Sequence, residues 1–492
     1  MASPARDAPT LTASAQGYGG PPKQQRRRKG SAYITRAVTV ALVAALWWTP
    51  PPDELTVQTW RLFAIFAGAI FSVVVGALPI LTASVFAIAI AVLTGLLRPD
   101  QAYAGFGNGT ILLIIVAFLV AGAVVKCGLG ARGGHWMVSR FGRSTLGLSY
   151  SIFLLDAVIA PAFPSNTARS GVLYPLALSL ADAAGAAPDR PERRRLGAFL
   201  MFSGIASLSV SSALWLTAMA ANPLGAETAG KFGVDMGFGR WLVAASVPTI
   251  CAMALLPYIL YRIIGPEVRQ TPDAPAAARK ALAALGPFSR AEWIVLLVFV
   301  GMVVLWAAAA TLGLDSTAIA FLGLGALLAT GVITPGDIAS QGDVLATFIW
   351  FAVLFTLSSQ LNQLGFMEFL GGRLANALGG LAAPTAGLIL VVAYIALHYL
   401  FVSQTAHLLA LFGVFLEVGV RLGVNPTVLA FQLLFATNYF SVITPQGSSA
   451  NLLFAGSGYL SQGDLYKLGL ITTVISFVIY AVVGTPWLRL VM

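Results

Sequence analysis

Apolar stretches of roughly 17–25 residues, nine or more of them, follow one another along this 492-residue chain, each long enough to cross a ~30 Å hydrocarbon layer as a helix. In lipid every backbone N–H and C=O must find its partner inside the protein, so such a chain folds as packed helices or as a closed barrel. Nothing in it has the alternating ten-residue segments of barrel strands. The expectation is an all-α polytopic membrane protein with about 11 transmembrane helices. Charged residues make up only 10% of the chain, against ~25% in soluble domains. Cys127 and Cys251 both fall inside apolar stretches, where they read as small packing residues.

The net charge of +10 is a matter of topology rather than of nucleic-acid binding. Basic residues cluster at Arg26 to Lys29, at Arg132, Arg140 and Arg143, at Arg190 with Arg193 to Arg195, and at Arg269, Arg279, Lys280 and Arg290. The positive-inside rule asks that all four clusters be cytoplasmic. One set of crossings satisfies it: spans at about 34–50, 60–77, 79–97 and 110–128, a hairpin whose arms are 146–163 and 170–183, and spans at 197–221 and 240–263. A second half follows with spans at 292–312, 316–334 and 345–363, a hairpin at 384–421, and spans at 427–455 and 465–489. The division is then a disordered basic cytoplasmic tail (1–30), a first helix (31–57), a repeat (58–263), a cytoplasmic linker (264–291) and a second repeat (292–492). An organellar transit peptide is the competing reading of the tail, but its Gly/Pro-rich composition is unlike an amphipathic Arg/Ser helix.

The halves are related in register. Thr110-Ile111-Leu112 and Gly128 recur as Thr347-Phe348-Ile349 and Gly365 at one offset, 237, and Ser165-Asn166-Thr167 recurs as Ser403-Gln404-Thr405. A unit with an odd number of crossings has its copy upside down. Inverted repeats of this kind give alternating-access transporters with substrate near the midplane at discontinuous helices. The second hairpin is therefore expected to enter from the outside.

The two tripeptides are the chemical centre. Pro164 removes a donor and forces its predecessor out of the α region, so the ascending arm stops there. Ser165 and Asn166 are strong caps for the helix that follows. Its unpaired N–H groups and positive dipole end favour an anion, while carbonyls freed on the ascending arm can ligate a cation. Two facing tips suit a solute with a negative group at each end. Arg169 and His407 each lie four residues past the tip serine and are expected to flank the site. For Arg169 the reading is a substrate-facing charge or, alternatively, a buried pair with Asp156.

The spans after the hairpins are also interrupted, at Thr217 to Pro223 and at Thr444-Pro445-Gln446-Gly447-Ser448-Ser449-Ala450-Asn451. His398, in the second ascending arm, reads as a packing histidine or a proton carrier, and Glu417 with Arg421 as a surface i,i+4 pair. No Walker loop, Gly-x-Ser-x-Gly, His-Glu-x-x-His or Cys-x-x-Cys occurs, so neither ATP hydrolysis nor proteolysis is supported, and no enzymatic activity is expected.

Pro-Ser-Asn-Thr-Ala-Arg-Ser-Gly (164–171), Leu-Thr-Ala-Met-Ala-Ala-Asn-Pro-Leu (216–224), His-Tyr-Leu-Phe-Val-Ser-Gln-Thr-Ala-His (398–407) and Gly-Ser-Gly-Tyr (456–459) resemble the divalent anion/sodium symporter family. The likeness is greatest to its citrate/succinate antiporter and plastid 2-oxoglutarate/malate translocator branch. The resemblance implies a homodimer with a scaffold and an elevator-like transport domain, embedded in the lipid bilayer and carrying di- or tricarboxylates between the two tips. It implies substrate contacts at Ser165, Asn166, Thr167, Ser403 and Thr405; by their positions in the sequence Gln404, Arg169, His407, Thr444 and Pro445 are expected to bind substrate beside them. In the symporters the motifs also help form two sodium sites, which here implies possible Na+ at Asn166 and neighbouring carbonyls and no other cofactor. Gln404 stands where symporters usually have asparagine, which puts the second sodium site in doubt. The expected activity is secondary active transport in a bacterial inner membrane, by exchange, with sodium symport as the alternative and a channel or pump subunit as a remote one.

Overall fold

The computed structural model of the protein describes residues 22–183, 185–188 and 194–492. Residues 1–21 of the expected tail, and Arg190 and Arg193 of the third basic cluster, lie outside the described residues. The first half contains α1 (Pro22–Trp48), α2 (Val57–Val74), α3 (Ile80–Leu93), α4 (Pro99–Ala102), α5 (Gly109–Lys126), α6 (Leu129–Phe141), α7 (Thr145–Ile159), α8 (Asn166–Ala183), α9 (Arg194–Leu214), α10 (Ala221–Gly230) and α11 (Phe238–Ile264). A linker helix α12 (Ala274–Ala284) leads to the second half. This comprises α13 (Arg290–Leu312), α14 (Ser316–Ala329), α15 (Pro335–Ala339), α16 (Gly342–Gln363), α17 (Phe366–Ala377), α18 (Ala383–Leu397), α19 (Gln404–Arg421), α20 (Pro426–Tyr439), α21 (Ser449–Ala455), α22 (Gln462–Ile479) and α23 (Thr485–Val491). No strand occurs among the described residues.

Residues 22–30 differ from expectation: they open α1 instead of belonging to a disordered tail. Pro22 has the fixed φ suited to a first helical position, and the Gln, Arg and Lys residues that follow are good helix formers. Among the described residues nine helices are long and apolar enough to cross a membrane. Tyr33–Trp48, Ile80–Leu93 and Ser316–Ala329 are apolar but shorter, so eleven crossings would require contributions from such shorter pieces.

Element order repeats: α3 to α11 and α14 to α22 run through the same sequence of long helices, short turn helices, hairpin and broken helix. The local bonding repeats as well. Gly128 and Gly365, both left-handed at φ 78° and 79°, precede α6 and α17, a backbone region that costs a residue with a Cβ about 1 kcal/mol or more. Asn222 Nδ2 donates to the carbonyls ten and seven residues before it, Ser212 and Trp215. Asn451 Nδ2 donates to those ten and seven before it, Ser441 and Thr444. Each amide thus closes the gap in a broken helix by satisfying carbonyls that the break leaves bare. Packing between the halves is reciprocal: α3 meets α16 while α5 meets α14, and α8 meets α21 while α10 meets α19.

The basic loops gather on one face. Arg132 on α6 is buried against the linker, donating to Glu292 at 2.5 and 3.2 Å and to the carbonyl of Gly286 at 3.0 Å. Segment 142–145 bonds to segment 268–271 through Thr145 N to Arg269 O (3.1 Å) and Thr271 N to Arg143 O (3.0 Å). The carboxylate of Glu267 accepts from the backbone N–H of Arg195 and Leu196 at the start of α9, 3.1 Å each. Charged side chains held this way keep the loops of one side together without crossing the apolar interior.

Candidate functional site

The first hairpin ascends as α7, tightens to a 3-10 turn at Ala160–Ala162, turns at Phe163 to Ser165 and descends as α8. Its descending helix starts at Asn166, four residues earlier than the expected 170, because Ser165 caps it: Oγ accepts from Ala168 N at 3.3 Å. The second hairpin does the same with α18, a turn at His398–Leu400, and α19, where Ser403 Oγ accepts from Ala406 N at 3.3 Å. Phe163 N to Ala160 O (3.1 Å) in one turn matches Phe401 N to His398 O (2.9 Å) in the other.

The tips meet. Asn166 Nδ2 donates to Gln404 Oε1 at 3.2 Å, across 238 residues of sequence. Beside this contact lies a cavity of about 860 Å³, within the range of small-molecule sites. Its wall includes Pro164, Ser165, Asn166 and Thr167 from one tip, Ser403, Gln404 and Thr405 from the other, and Ser448 and Ser449 from the broken α20–α21 segment. The facing wall is α5 and α16, through Phe118, Gly122, Asp343, Thr347, Trp350 and Phe351, with Gln341 in the link before α16. Gln341 to Val344 follow α15, which Lys126 ties to the end of α5 through Asp337 at 2.7 Å. The cavity therefore reaches the end of α5 that leads into α6. Asp337 is held down to about 2 by hydrogen bonds from Lys126 and from Thr334.

Four of the expected residues stand elsewhere. Arg169 is fully buried and contributes nothing to the cavity wall. It donates to Asp156 Oδ1 at 3.0 Å, Ser211 Oγ at 2.8 Å, Asn166 Oδ1 at 2.5 Å and the hydroxyl of Ser212. The rise per residue puts Asp156 and Arg169 at different depths on antiparallel arms; the long guanidinium side chain spans the difference. Arg169 is thus the buried partner of Asp156, and its charge is balanced there rather than presented to a solute. His407 is buried behind the second tip, with its Nδ1 3.2 Å from Nδ1 of His398. Thr444 and Pro445 are buried in the layer behind Ser448 and outside the cavity wall.

The serines of α9 were not anticipated. Ser207 and Ser211 donate to Asp156 Oδ2 at 2.7 and 2.5 Å, and Ser212 donates to Asn166 Oδ1 at 2.6 Å. Ser203, Ser207 and Ser211 recur every four residues, a polar stripe on one helix face. That spacing, read with the lone Asp156 in an apolar arm, carried the signal.

A sodium ion at Asn166 requires oxygens free to accept it, and several of the oxygens there are already engaged. Asn166 Oδ1 already accepts from Arg169 and Ser212. The carbonyls at the end of the ascending arm accept from the broken-helix segment: Ala157 from Trp215 Nε1 (2.9 Å), Pro161 from Thr217 Oγ1 (2.9 Å) and Pro164 from Ala220 N (3.0 Å). At the second tip the longer Gln404 amide donates to Thr437 O at 2.7 Å and Asn438 O at 3.4 Å, engaging two carbonyls that face that tip. Among the described residues no group of three or more His, Cys, Asp or Glu could hold a metal.

What the cavity offers a solute is two helix starts, hydroxyls and amides. Among its lining residues no Lys, Arg or His occurs, and Asp343 is acidic. Positive potential comes from the N-termini of α8 and α19, each equivalent to roughly half an elementary charge.

A family model described as the sodium:sulfate symporter transmembrane region matches residues 31–492. The chain is 38% identical over 442 residues to dicarboxylate transporter 2, chloroplastic, of Spinacia oleracea, covering 89% of this chain and 78% of that protein. It is 29% identical over 460 residues to the L-tartrate/succinate antiporter of Shigella sonnei, covering 89% and 94%. The solved structure of the Alcanivorax borkumensis YdaH transporter aligns with a TM-score of 0.55 at 16% identity, over 95% of this chain and 99% of that one, a likeness of fold.

Proposed function

The chain belongs to the sodium:sulfate symporter family, a family of transporters and not enzymes, and from that premise we propose that it exchanges di- or tricarboxylates across a bacterial inner membrane. The observation that carries this reading is the meeting of two capped helix starts, 3.2 Å apart through Asn166 and Gln404, beside one polar cavity. A solute with a carboxylate at each end can accept N–H and O–H donors from both tips at once. Malate, succinate, 2-oxoglutarate and citrate have that shape, and relatives named for dicarboxylates, tartrate and succinate support the same class.

Exchange, rather than sodium symport, is supported by the engaged acceptors at both tips. Without sodium to compensate it, the bound anion carries negative charge across the membrane that a second anion moving back can balance. Ser165, Asn166, Thr167, Ser403, Gln404 and Thr405 bind the substrate in this scheme, while Arg169 and His407 hold the tips from behind. The repeats are inverted, the basic clusters put the N-terminus in the cytoplasm and eleven crossings the C-terminus outside, and the tips ride as one body past α5 and α16 in an elevator motion, within a homodimer. The reciprocal helix packing supports a two-fold relation between the halves; the inversion rests on the odd number of crossings in each repeat, and the dimer and the elevator on the family resemblance.

Proteoliposomes loaded with malate and offered labelled succinate test the proposal. Uptake is expected only with internal dicarboxylate and without regard to a sodium gradient. Sodium-driven uptake into empty vesicles would reject exchange, and flux that neither saturates nor depends on counter-substrate would reject a carrier.

A further inference from the structure

Behind the second tip two imidazoles face each other in an otherwise aromatic shell. His398 and His407 are both fully buried, with Nδ1 atoms 3.2 Å apart. His398 Nε2 lies 3.2 Å from the carbonyl of Gly447, which only accepts, so this nitrogen carries a hydrogen. In the uncharged pair His398 Nδ1 is then bare, and the shared proton sits on His407 Nδ1. That leaves His407 Nε2 as an acceptor, and it is buried without a hydrogen-bond partner. The tautomers follow from the bonding network.

One atom of the pair can therefore gain a proton with no rearrangement. Protonating His407 Nε2 makes an imidazolium that still donates Nδ1–H to His398, which still donates to Gly447. The rings of Tyr394, Phe401 and Phe440 lie 4.3, 4.8 and 4.8 Å from the His407 ring, close enough for aromatic attraction to offset part of the cost of burying its charge. Tyr394 is the other titratable group here, and its hydroxyl is engaged with Thr437. The buried hydroxyl of Thr444 faces the Gly447 backbone from the broken helix. Charged groups on the elements packed against α19 lie at its foot, on α10 or, as Asp343 of α16, in the cavity wall. Glu417 and Arg421 pair with each other, and Arg421 with Glu368 of α17, at the helix foot. On α10, Glu227 accepts from Asn108 and Lys231 donates to Ser359. Among the described residues no carboxylate is bonded to His407, and the carboxylate of the substrate is held one turn away at Ser403 to Thr405.

We propose that His407 Nε2 is a proton-binding site and that one proton, taken from water, is bound together with the carboxylate substrate at the second tip. The inference rests on the carboxylate reading above. Binding of succinate to the purified full-length protein, measured calorimetrically in buffers of different ionisation enthalpy above pH 7, should show uptake of about one proton per succinate. Affinity should fall by up to about tenfold per pH unit as pH rises. His407→Gln keeps a donor toward His398 and should bind succinate more weakly, with no proton uptake and a flat pH profile. As a second readout, nitrogen NMR of the His135→Asn protein, which leaves two histidines, should show the His407 ring pass from neutral to doubly protonated on adding succinate. Succinate binding by the unsubstituted protein without proton uptake, or with His407 neutral throughout, overturns this inference and leaves the transport reading standing. Failure to bind any dicarboxylate overturns the transport reading and this inference with it.

Discussion

The two hairpin tips share a backbone and differ in what stands behind it. Each has an ascending helix, a one-turn 3-10 helix, a capping serine and a new helix start, with matching hydrogen bonds. Behind the first, Arg169 and Asp156 form a buried ion pair saturated by the serines of α9. Behind the second, at the corresponding position, stands a pair of imidazoles with an unpartnered nitrogen. The backbone frame that aims helix starts at a solute is thus kept in both copies, while the side chain one turn below is free to be a permanent, balanced charge or a titratable one. One tip is electrostatically fixed and the other adjustable.

The largest expected effect comes from the fixed tip. Asp156→Ala or Arg169→Ala leaves an uncompensated charge in the interior and should destabilise the protein by about 3–5 kcal/mol, seen as a lower melting temperature in detergent and loss of exchange. Arg169→Lys should not rescue, since one ammonium has three donors for four acceptors. If Arg169→Ala keeps its full melting temperature, the first tip is not held by the pair and the contrast fails.

The repeat itself is tested by its two bridging amides. Asn222→Ala and Asn451→Ala each strip two carbonyls of their partner and should lower stability by similar amounts, about 1–3 kcal/mol. Strongly unequal losses in denaturant or thermal unfolding would show that the two breaks carry different loads. Smaller again is Gln404→Asn. The shorter amide releases the carbonyls of Thr437 and Asn438, so exchange should slow by roughly tenfold, a change of ~1.4 kcal/mol. Sodium should also gain an influence on uptake that it lacks in the unsubstituted protein. Continued sodium indifference would remove Gln404 as the group that excludes a cation.

The smallest effect is expected at the rim, where Lys126 and Asp337 join α5 to α15. The corresponding positions of the other half hold Gln363 and Asp100, and Asp100 pairs instead with Arg98. Lys126→Gln should leave unfolding almost unchanged, as exposed pairs contribute little. Because the folded protein depresses Asp337 to about 2, whatever this tie contributes is complete above the ordinary carboxylate range and fades only as pH falls toward 2. A pH scan of unfolding in which a gap between Lys126→Gln and the unsubstituted protein opens, rather than closes, as pH falls toward 2 would contradict that.

Much of this was legible in the sequence because it is local. Apolar length sets the helices, Pro164 and the serines stop and restart them, and the offset between Ser165 and Ser403 pairs the tips. Asn166 and Gln404 could be named as facing residues before any coordinates, since both belong to the helix starts. Arg169 and His407 could be placed one turn below but not aimed. Which way a side chain on a helix points into the protein depends on the neighbour it meets, and for Arg169 that neighbour is α9, brought against α7 and α8 by folding alone.

The chain by itself therefore determined a bundle of apolar helices with two polar, proline- or serine-marked interruptions, because lipid tolerates unpaired backbone only where protein or solute satisfies it. Tertiary structure decided what fills those interruptions: that Asp156 and the serines of α9 claim Arg169, that His398 claims His407, and that α5 and α16 close the opposite wall. These are contacts between segments far apart in sequence, and no local rule of spacing or propensity encodes the partner a buried polar group will find.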